Sequence, residues 1–370
     1  MKKLSILVLM LLCGCQNSSD QNSAKTTENT GENKAATVVP PDDAAAIAAL
    51  EALGAKFRKN GDGLVTEVNL RDTGATDEAL QHVASLTHVT SVLLNELSIT
   101  GEGLKLLATT ASPIANLDLR GCPVDNDSLA HLKDMKSLKA LRFNGVSGQT
   151  LVDDGGLPHL TGLTNLKVLA LDGLWVSEVG LEPLGSLTAL EELYMKSTTI
   201  SDDGLKLLAR YPKLRQLRLA FNQISDDGLA HLSELLSLED LDLSENAQVT
   251  DAGMAHLSSL TNLKKLNLWR VAITDAGVQH LSPLTNLVWL NLDNTQLSDA
   301  GLTALQGMNK IEFLHLGSTS VSDAGLPLLE GLTSLKDLKV TRTAVTPQGV
   351  DALQKKLPET NIQLKYLEGQ

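Results

Sequence analysis

The sequence predicts an α/β fold built as a solenoid, in which parallel strands line a concave sheet and helices form the convex side. Three observations predict it. A six-residue apolar pattern recurs at a nearly fixed spacing along most of the chain. Leucine supplies most of the apolar side chains, whereas the 370 residues include only three Trp, three Tyr and four Phe. Each repeat also passes from strand-like alternation to helical spacing within one period.

The pattern reads L-x-x-L-x-L, and its first residue falls at Val65, Val89, Ile114, Leu138, Leu166, Leu190, Leu214, Leu238, Leu263, Leu287, Ile311 and Leu335. Eight of the eleven intervals are 24 residues, two are 25, and one, Leu138 to Leu166, is 28. The long interval predicts a small insertion around Gly148 to Asp153. In one unit, Leu214, Leu217 and Leu219 alternate as a strand, Ala220 to Ile224 turn, and Ser225-Asp226-Asp227-Gly228 opens a helix carrying Leu229, Leu232 and Leu235. The pairs Ser201-Asp202, Thr250-Asp251, Thr274-Asp275, Ser298-Asp299 and Ser322-Asp323 repeat that opening. A hydroxyl accepts an orphan N–H there and the carboxylate favours the positive end of the helix dipole. Recurrence from turn to turn assigns these carboxylates to capping rather than to metal or acid-base chemistry.

From Val65 to Leu364 the chain resembles the leucine-rich-repeat superfamily, in particular the cysteine-containing subclass of F-box-associated repeats and related bacterial envelope proteins. The residues that carry this are the turns ending in Ile/Val-Ser/Thr-Asp and a small ladder residue at Thr73, Cys122, Thr198, Asn222, Asn246, Thr295, Thr319 and Thr343. The resemblance implies a leucine-rich-repeat solenoid, or horseshoe, whose ladder residues hydrogen-bond neighbouring turns. Leu97, Val146, Leu174 and Val271 interrupt the ladder. Cys122 then reads as a ladder residue and not as a nucleophile. No F-box is expected, because residues 42–57 supply one short helix.

Residues 1–14 read as a lipoprotein signal peptide: Lys2 and Lys3 precede the apolar run Leu4 to Leu12, too short for the roughly 20 residues of a spanning helix. Leu12-Cys13-Gly14-Cys15 resembles the bacterial lipoprotein box, which implies a lipid on Cys15; an ordinary secretory signal cut elsewhere is the alternative. Gln16 in place of aspartate implies outer-membrane sorting and a cell-envelope location. Residues 15–41 are polar and read as a disordered tether, with a span of about 30 Å relaxed and about 90 Å when straight. Residues 42–61 read as an N-terminal cap helix, with Ile47, Leu50, Leu53 and Phe57 as its apolar stripe. The repeats occupy 62–364, ending in a helix from Pro347 to Lys356 and a strand through Ile362 and Leu364, and 365–370 form a tail.

The net charge of -13 argues against nucleic acid and anionic headgroups as partners, so membrane contact is expected through the lipid on Cys15 alone. No Walker loop, nucleophile elbow, HExxH or CxxC occurs, so the sequence supports no enzyme, cofactor or metal site. His82, His131, His159, His231, His256 and His280 recur before a helix leucine and belong to the repeat. Adjacent helices lie about 10 Å apart, too far for His231, His256 and His280 to share an ion.

Residues between the core leucines of each strand face the concave side, where the aromatics Tyr194, Phe221, Trp269, Trp289 and Phe313 are placed. Trp289 and Phe313 fall at equivalent positions on adjacent strands, about 4.8 Å apart. Asn267, Asn291 and His315 form a polar row between them and Trp269. Aromatic surface beside amides suits a protein hot spot or a sugar-stacking face, and Arg218, Arg270 and Arg342 are positioned to pair with acidic ligand groups. The expected function is a lipid-anchored binding module for a protein or polysaccharide; a structural or adhesive spacer without a specific ligand is the alternative.

Overall fold

The computed structural model describes residues 41–365; the signal segment, Cys15 and most of the tether expected in 1–41 lie outside the described residues. The strands are β1 (Lys56–Lys59), β2 (Val65–Asn69), β3 (Ser91–Leu93), β4 (Asn116–Asp118), β5 (Ala140–Asn144), β6 (Val168–Asp172) and β7 (Glu192–Tyr194). They continue as β8 (Gln216–Arg218), β9 (Asp240–Asp242), β10 (Lys265–Asn267), β11 (Trp289–Asn291), β12 (Phe313–His315), β13 (Asp337–Lys339) and β14 (Asn361–Gln363). All lie in one sheet in chain order, and from β2 onward each pairs parallel with the next. The chain is therefore a leucine-rich-repeat solenoid, one strand per turn.

The repeat explains its own geometry. Leu214, Leu217 and Leu219 are buried, and the same positions of the next unit, Leu238, Leu241 and Leu243, stack beside them in a continuous aliphatic core. After each strand the backbone turns through a left-handed residue: φ is 55° at Ser197, 54° at Phe221, 60° at Glu245 and 56° at Arg270. The return segment is one α-helical turn followed by 3-10 helix, as in Asp226–Ala230 and His231–Glu234. This compact crossover fits the short period.

The Ser/Thr-Asp pairs do more than cap. Ser225 Oγ accepts from Asp227 N within its own helix, as expected. Asp226 instead reaches the following repeat, accepting from Thr250 N at 2.7 Å and Thr250 Oγ1 at 2.6 Å. Asp202 with Ser225, Asp251 with Thr274, Asp275 with Ser298 and Asp299 with Ser322 repeat this bidentate link. The glycine two residues after each linked aspartate position leaves room for it: a β-carbon on Gly253 would overlap Asp226 Oδ1, and one on Gly277 would overlap Asp251 Oδ1.

The turn ladder is narrower than expected. Thr73, Thr295, Thr319 and Thr343 donate to carbonyls of their own turn. The long amides cross between repeats: Asn246 Oδ1 accepts from Asn222 N, and Asn246 Nδ2 donates to Leu219 O and Leu243 O. Cys122 Sγ donates to Leu94 O at 3.1 Å, and burial pushes its thiol up to about 11, as befits a ladder residue. In the 28-residue unit Val146 cannot bond, and the insertion brings buried Thr150 to donate to Cys122 O at 2.8 Å.

The N-terminal cap differs from the single helix expected over 42–61. The helix covers Ala44–Ala52, with Asp43 accepting from Ala45 N and Ala46 N. Gly54 at φ 90° ends it, and Ala55 N returns to Leu50 O. Phe57, placed on the helix stripe by spacing alone, lies in β1, which pairs antiparallel with β2. Lys56, Arg58 and Lys59 on that strand charge the open sheet edge. At the other end Thr346 caps the helix Pro347–Gln354, and β14 closes the sheet.

Candidate functional site

The parallel register sets side chains of successive repeats in rows across the concave face. One row runs Glu192, Gln216, Asp240, Lys265, Trp289, Phe313 and Asp337; the next runs Tyr194, Arg218, Asp242, Asn267, Asn291, His315 and Lys339. Trp289 and Phe313 are stacked, with ring centroids 5.1 Å apart and planes inclined by 4°. The His315 ring meets Phe313 edge-on at 6.4 Å, and Lys339 Nζ lies 5.6 Å from the Phe313 centroid. Asn267 and Asn291 stand beside this group, each accepting at Oδ1 from the backbone two residues on. Burial holds the His315 imidazole below its ordinary value, with Asp293 pulling it up and Lys339 pushing it down.

Tyr194 and Arg218 form a second group, four strands from Trp289 and so about 19 Å away. The Arg218 guanidinium lies 4.8 Å from the Tyr194 ring centroid and donates to Asp172 at 2.8 Å. The guanidinium is thus held in place by Asp172 while its side chain stays 41% exposed. Tyr194 donates to Glu192 or Gln216, and burial first, then Glu192, push its phenol far above the ordinary value.

Trp269 and Arg270 lie beyond β10 in the turn, where Arg270 packs 5.3 Å from the Trp269 centroid and pairs with Glu245 at 3.3 Å. Phe221, expected on the concave strand face, is corrected to the turn rim. It occupies the left-handed position equivalent to Arg270, because φ of 54° there ends the strand alternation, and 58% of it is exposed. Arg342 has the same backbone conformation in a later turn. Phe143 and Tyr211 are buried in the core.

Between the two aromatic groups lies an open cavity of about 280 Å³, walled by Tyr194 and Trp289 over Arg218, Asp240, Asp242 and Lys265. Sequence reasoning did not single out these two carboxylates or Lys265. Their signal was available, since they occupy the same positions between core leucines as the aromatics. Burial, with Asp242 nearby, holds the Asp240 carboxyl above its ordinary value, although Lys265 Nζ stands 3.7 Å away. The concave face thus offers aromatic platforms separated by a polar, charged floor. Among the described residues no three His, Cys, Asp or Glu side chains gather as a metal-ligand set.

The chain matches the family described as leucine-rich repeat over residues 261–321, and a second so described over 186–209, 212–233 and 235–258. No curated protein matches it. Among solved structures it is similar to an internalin, inlF, from Listeria monocytogenes, with 20% identity, a TM-score of 0.60, and coverage of 88% of this chain and 94% of that one. A second internalin of that organism, inlC2, shows 26% identity and a TM-score of 0.45 over 57% of this chain and 83% of its own. A plant peptide hormone receptor, RGFR1, solved with RGF2, shows 14% identity and a TM-score of 0.47 over 84% and 59%. No catalytic family is among the matches. The repeats, their stacking in one parallel sheet and the leucine-rich-repeat segments matched over residues 186–258 and 261–321 give the chain a leucine-rich-repeat solenoid fold.

Proposed function

We propose that this chain is a binding module of the cell envelope that takes a protein ligand on its concave face, centred on Trp289 and Phe313. The observation that carries the reading is the parallel stack of two half-buried aromatics on a sheet face. Aromatic side chains held rigidly by strands bind with little ordering cost, which is why they dominate protein hot spots. The internalin inlF, similar in fold over 88% of this chain, shares this architecture. The flat stack beside Asn267 and Asn291 also favours a second reading, in which a polysaccharide stacks on the rings.

Trp269→Ala combined with Trp289→Ala is expected to cut ligand capture from an envelope extract at least about tenfold, with an unchanged circular dichroism spectrum. Equal capture by both forms removes the concave patch and leaves a spacer role. Glycosidase treatment of the captured material separates protein from polysaccharide.

The tether and lipid belong to the same proposal. Lys2, Lys3, the apolar run to Leu12 and the box ending at Cys15 support attachment through Cys15 to a bacterial outer membrane. Metabolic labelling with a fatty acid is expected to mark the chain and to fail for Cys15→Ala. Labelling that survives that change places the lipid elsewhere.

A further inference from the structure

The Trp289 ring is covered on one side only. Phe313, its register partner on β12, stacks there with ring centroids 5.1 Å apart. On the other side its register partner is Lys265 of β10, whose ammonium turns away to stand 3.7 Å from Asp240 on β9. Among the described residues no ring or cation covers that second face. Trp289 is one wall of the open cavity of about 280 Å³ over β9.

The floor of that cavity holds acceptors the protein leaves unused. Asp240 and Asp242 are two residues apart on β9, so both side chains leave the same face, about 6.6 Å apart along the strand. Ser244 N and Ser244 Oγ both donate to Asp242 Oδ1, at 3.0 and 2.7 Å, and no described residue bonds Oδ2. Asp240 accepts no hydrogen bond, since Lys265 at 3.7 Å is too far away for one. Arg218, the other cation lining the cavity, is held by Asp172. These carboxylates are open to solvent, with 36% of the Asp240 side chain exposed.

An open aromatic face beside under-bonded carboxylates matches one side chain closely. The guanidinium is planar and permanently charged, stacks on rings and presents its N–H donors in a fixed fork. Two such pairings occur among the described residues. Arg218 lies 4.8 Å from the Tyr194 centroid while bonding Asp172, and Arg270 lies 5.3 Å from the Trp269 centroid while pairing with Glu245. At Trp289 the ring and the carboxylates are both in place, but no arginine of the chain stacks on that ring. β9 and β11 are two strands apart, about 9.6 Å at the backbone, and a long side chain entering over β10 reaches both.

We propose that this cavity receives an arginine side chain of the protein ligand, laid against the open face of Trp289 with its N–H groups directed to Asp240 and Asp242. This rests on the reading of the concave face as a protein-binding surface. Lys265 competes with the incoming guanidinium for Asp240, which fixes the sign of one test.

The test is NMR of the tryptophan-labelled full chain, with the Trp289 indole N–H resonance assigned by Trp289→Phe, titrated with Nα-acetylarginine amide. A saturable shift of that resonance is expected, with a smaller one for Nα-acetyllysine amide and none for Nα-acetylcitrulline amide, which keeps the shape without the charge. Asp242→Asn is expected to weaken the response at least about tenfold, because a charged acceptor becomes neutral. Its amide oxygen still accepts both Ser244 bonds, so the fold is kept. Lys265→Gln is expected to strengthen the response about threefold by removing the competing ammonium. An unmoved Trp289 resonance, an equal response to the citrulline or lysine amide, or a response unchanged in Asp242→Asn overturns the assignment. A weaker response in Lys265→Gln also overturns it. Capture of a protein ligand that is lost in the Trp269/Trp289 variant but unaffected by Asp242→Asn would leave the concave-face reading standing and overturn this assignment alone.

Discussion

Asn246→Ala is expected to lower the unfolding free energy by about 3 kcal/mol or more, read as a shift of the urea midpoint at unchanged slope. The side chain is fully buried and makes three bonds to backbone groups: it accepts from Asn222 N at 3.0 Å and donates to Leu219 O at 2.9 Å and Leu243 O at 2.8 Å. Alanine leaves Asn222 N and Leu243 O without partners, while Leu219 O keeps only Asn222 Nδ2 at 2.9 Å. Each costs roughly 1–3 kcal/mol when stranded. Asn246→Thr is the informative control. Thr295 shows what threonine achieves at this place in the turn, one bond to its own Leu292 O and none across repeats. Threonine at 246 is therefore expected to recover only part of the loss. If Asn246→Ala and Asn246→Thr both prove within about 0.5 kcal/mol of the parent protein, the amide ladder does not hold these turns together.

Gly277→Ala is expected to destabilise by about 2 kcal/mol, opposite in sign to helix propensity, which favours alanine over glycine by about 1 kcal/mol. Gly277 lies in the helix Asp275–Gln279 without a left-handed φ, so its backbone conformation admits alanine. The obstacle is Asp251 of the preceding repeat. Its Oδ1 occupies the space an alanine methyl needs, and its Cα lies 3.1 Å from that point. The carboxylate cannot withdraw without giving up Thr274 N at 2.7 Å and Thr274 Oγ1 at 2.6 Å. A double-mutant cycle isolates the cause. In an Asp251→Ala background the same Gly277→Ala change is expected to become neutral or stabilising. A penalty that persists there assigns the effect to something other than this carboxylate.

The same two cases show where sequence reasoning reached and where it stopped. The Ser/Thr-Asp-x-Gly recurrence was plain, and half of its meaning, the hydroxyl capping its own helix, followed from local chemistry. The other half, the carboxylate bonding the next turn, needs the distance between turns, which no local pattern contains. The turn asparagines were likewise recognised as ladder residues, yet only the folded turns separate the amides that cross from threonines that bond within their own turn.

At the concave face the strand rows were legible because a period of two fixes which side chains leave the core. That placed Trp289, Phe313, Asn267, Asn291 and His315 together. Phe221 was misplaced because alternation was extended one residue past the point where φ turns positive. The bond from Arg218 to Asp172 was not legible, because its partner stands two repeats earlier in the chain.

The sequence by itself determined the solenoid, its one-strand period, the core leucines and the extra loop of the long repeat, because each follows from periodicity and short-range sterics. Only the tertiary structure decided which carboxylates tie neighbouring turns and how the edge of β2 is covered by an antiparallel strand. Those depend on distances of a few ångströms between residues about two dozen positions apart, and the register of stacked turns sets them.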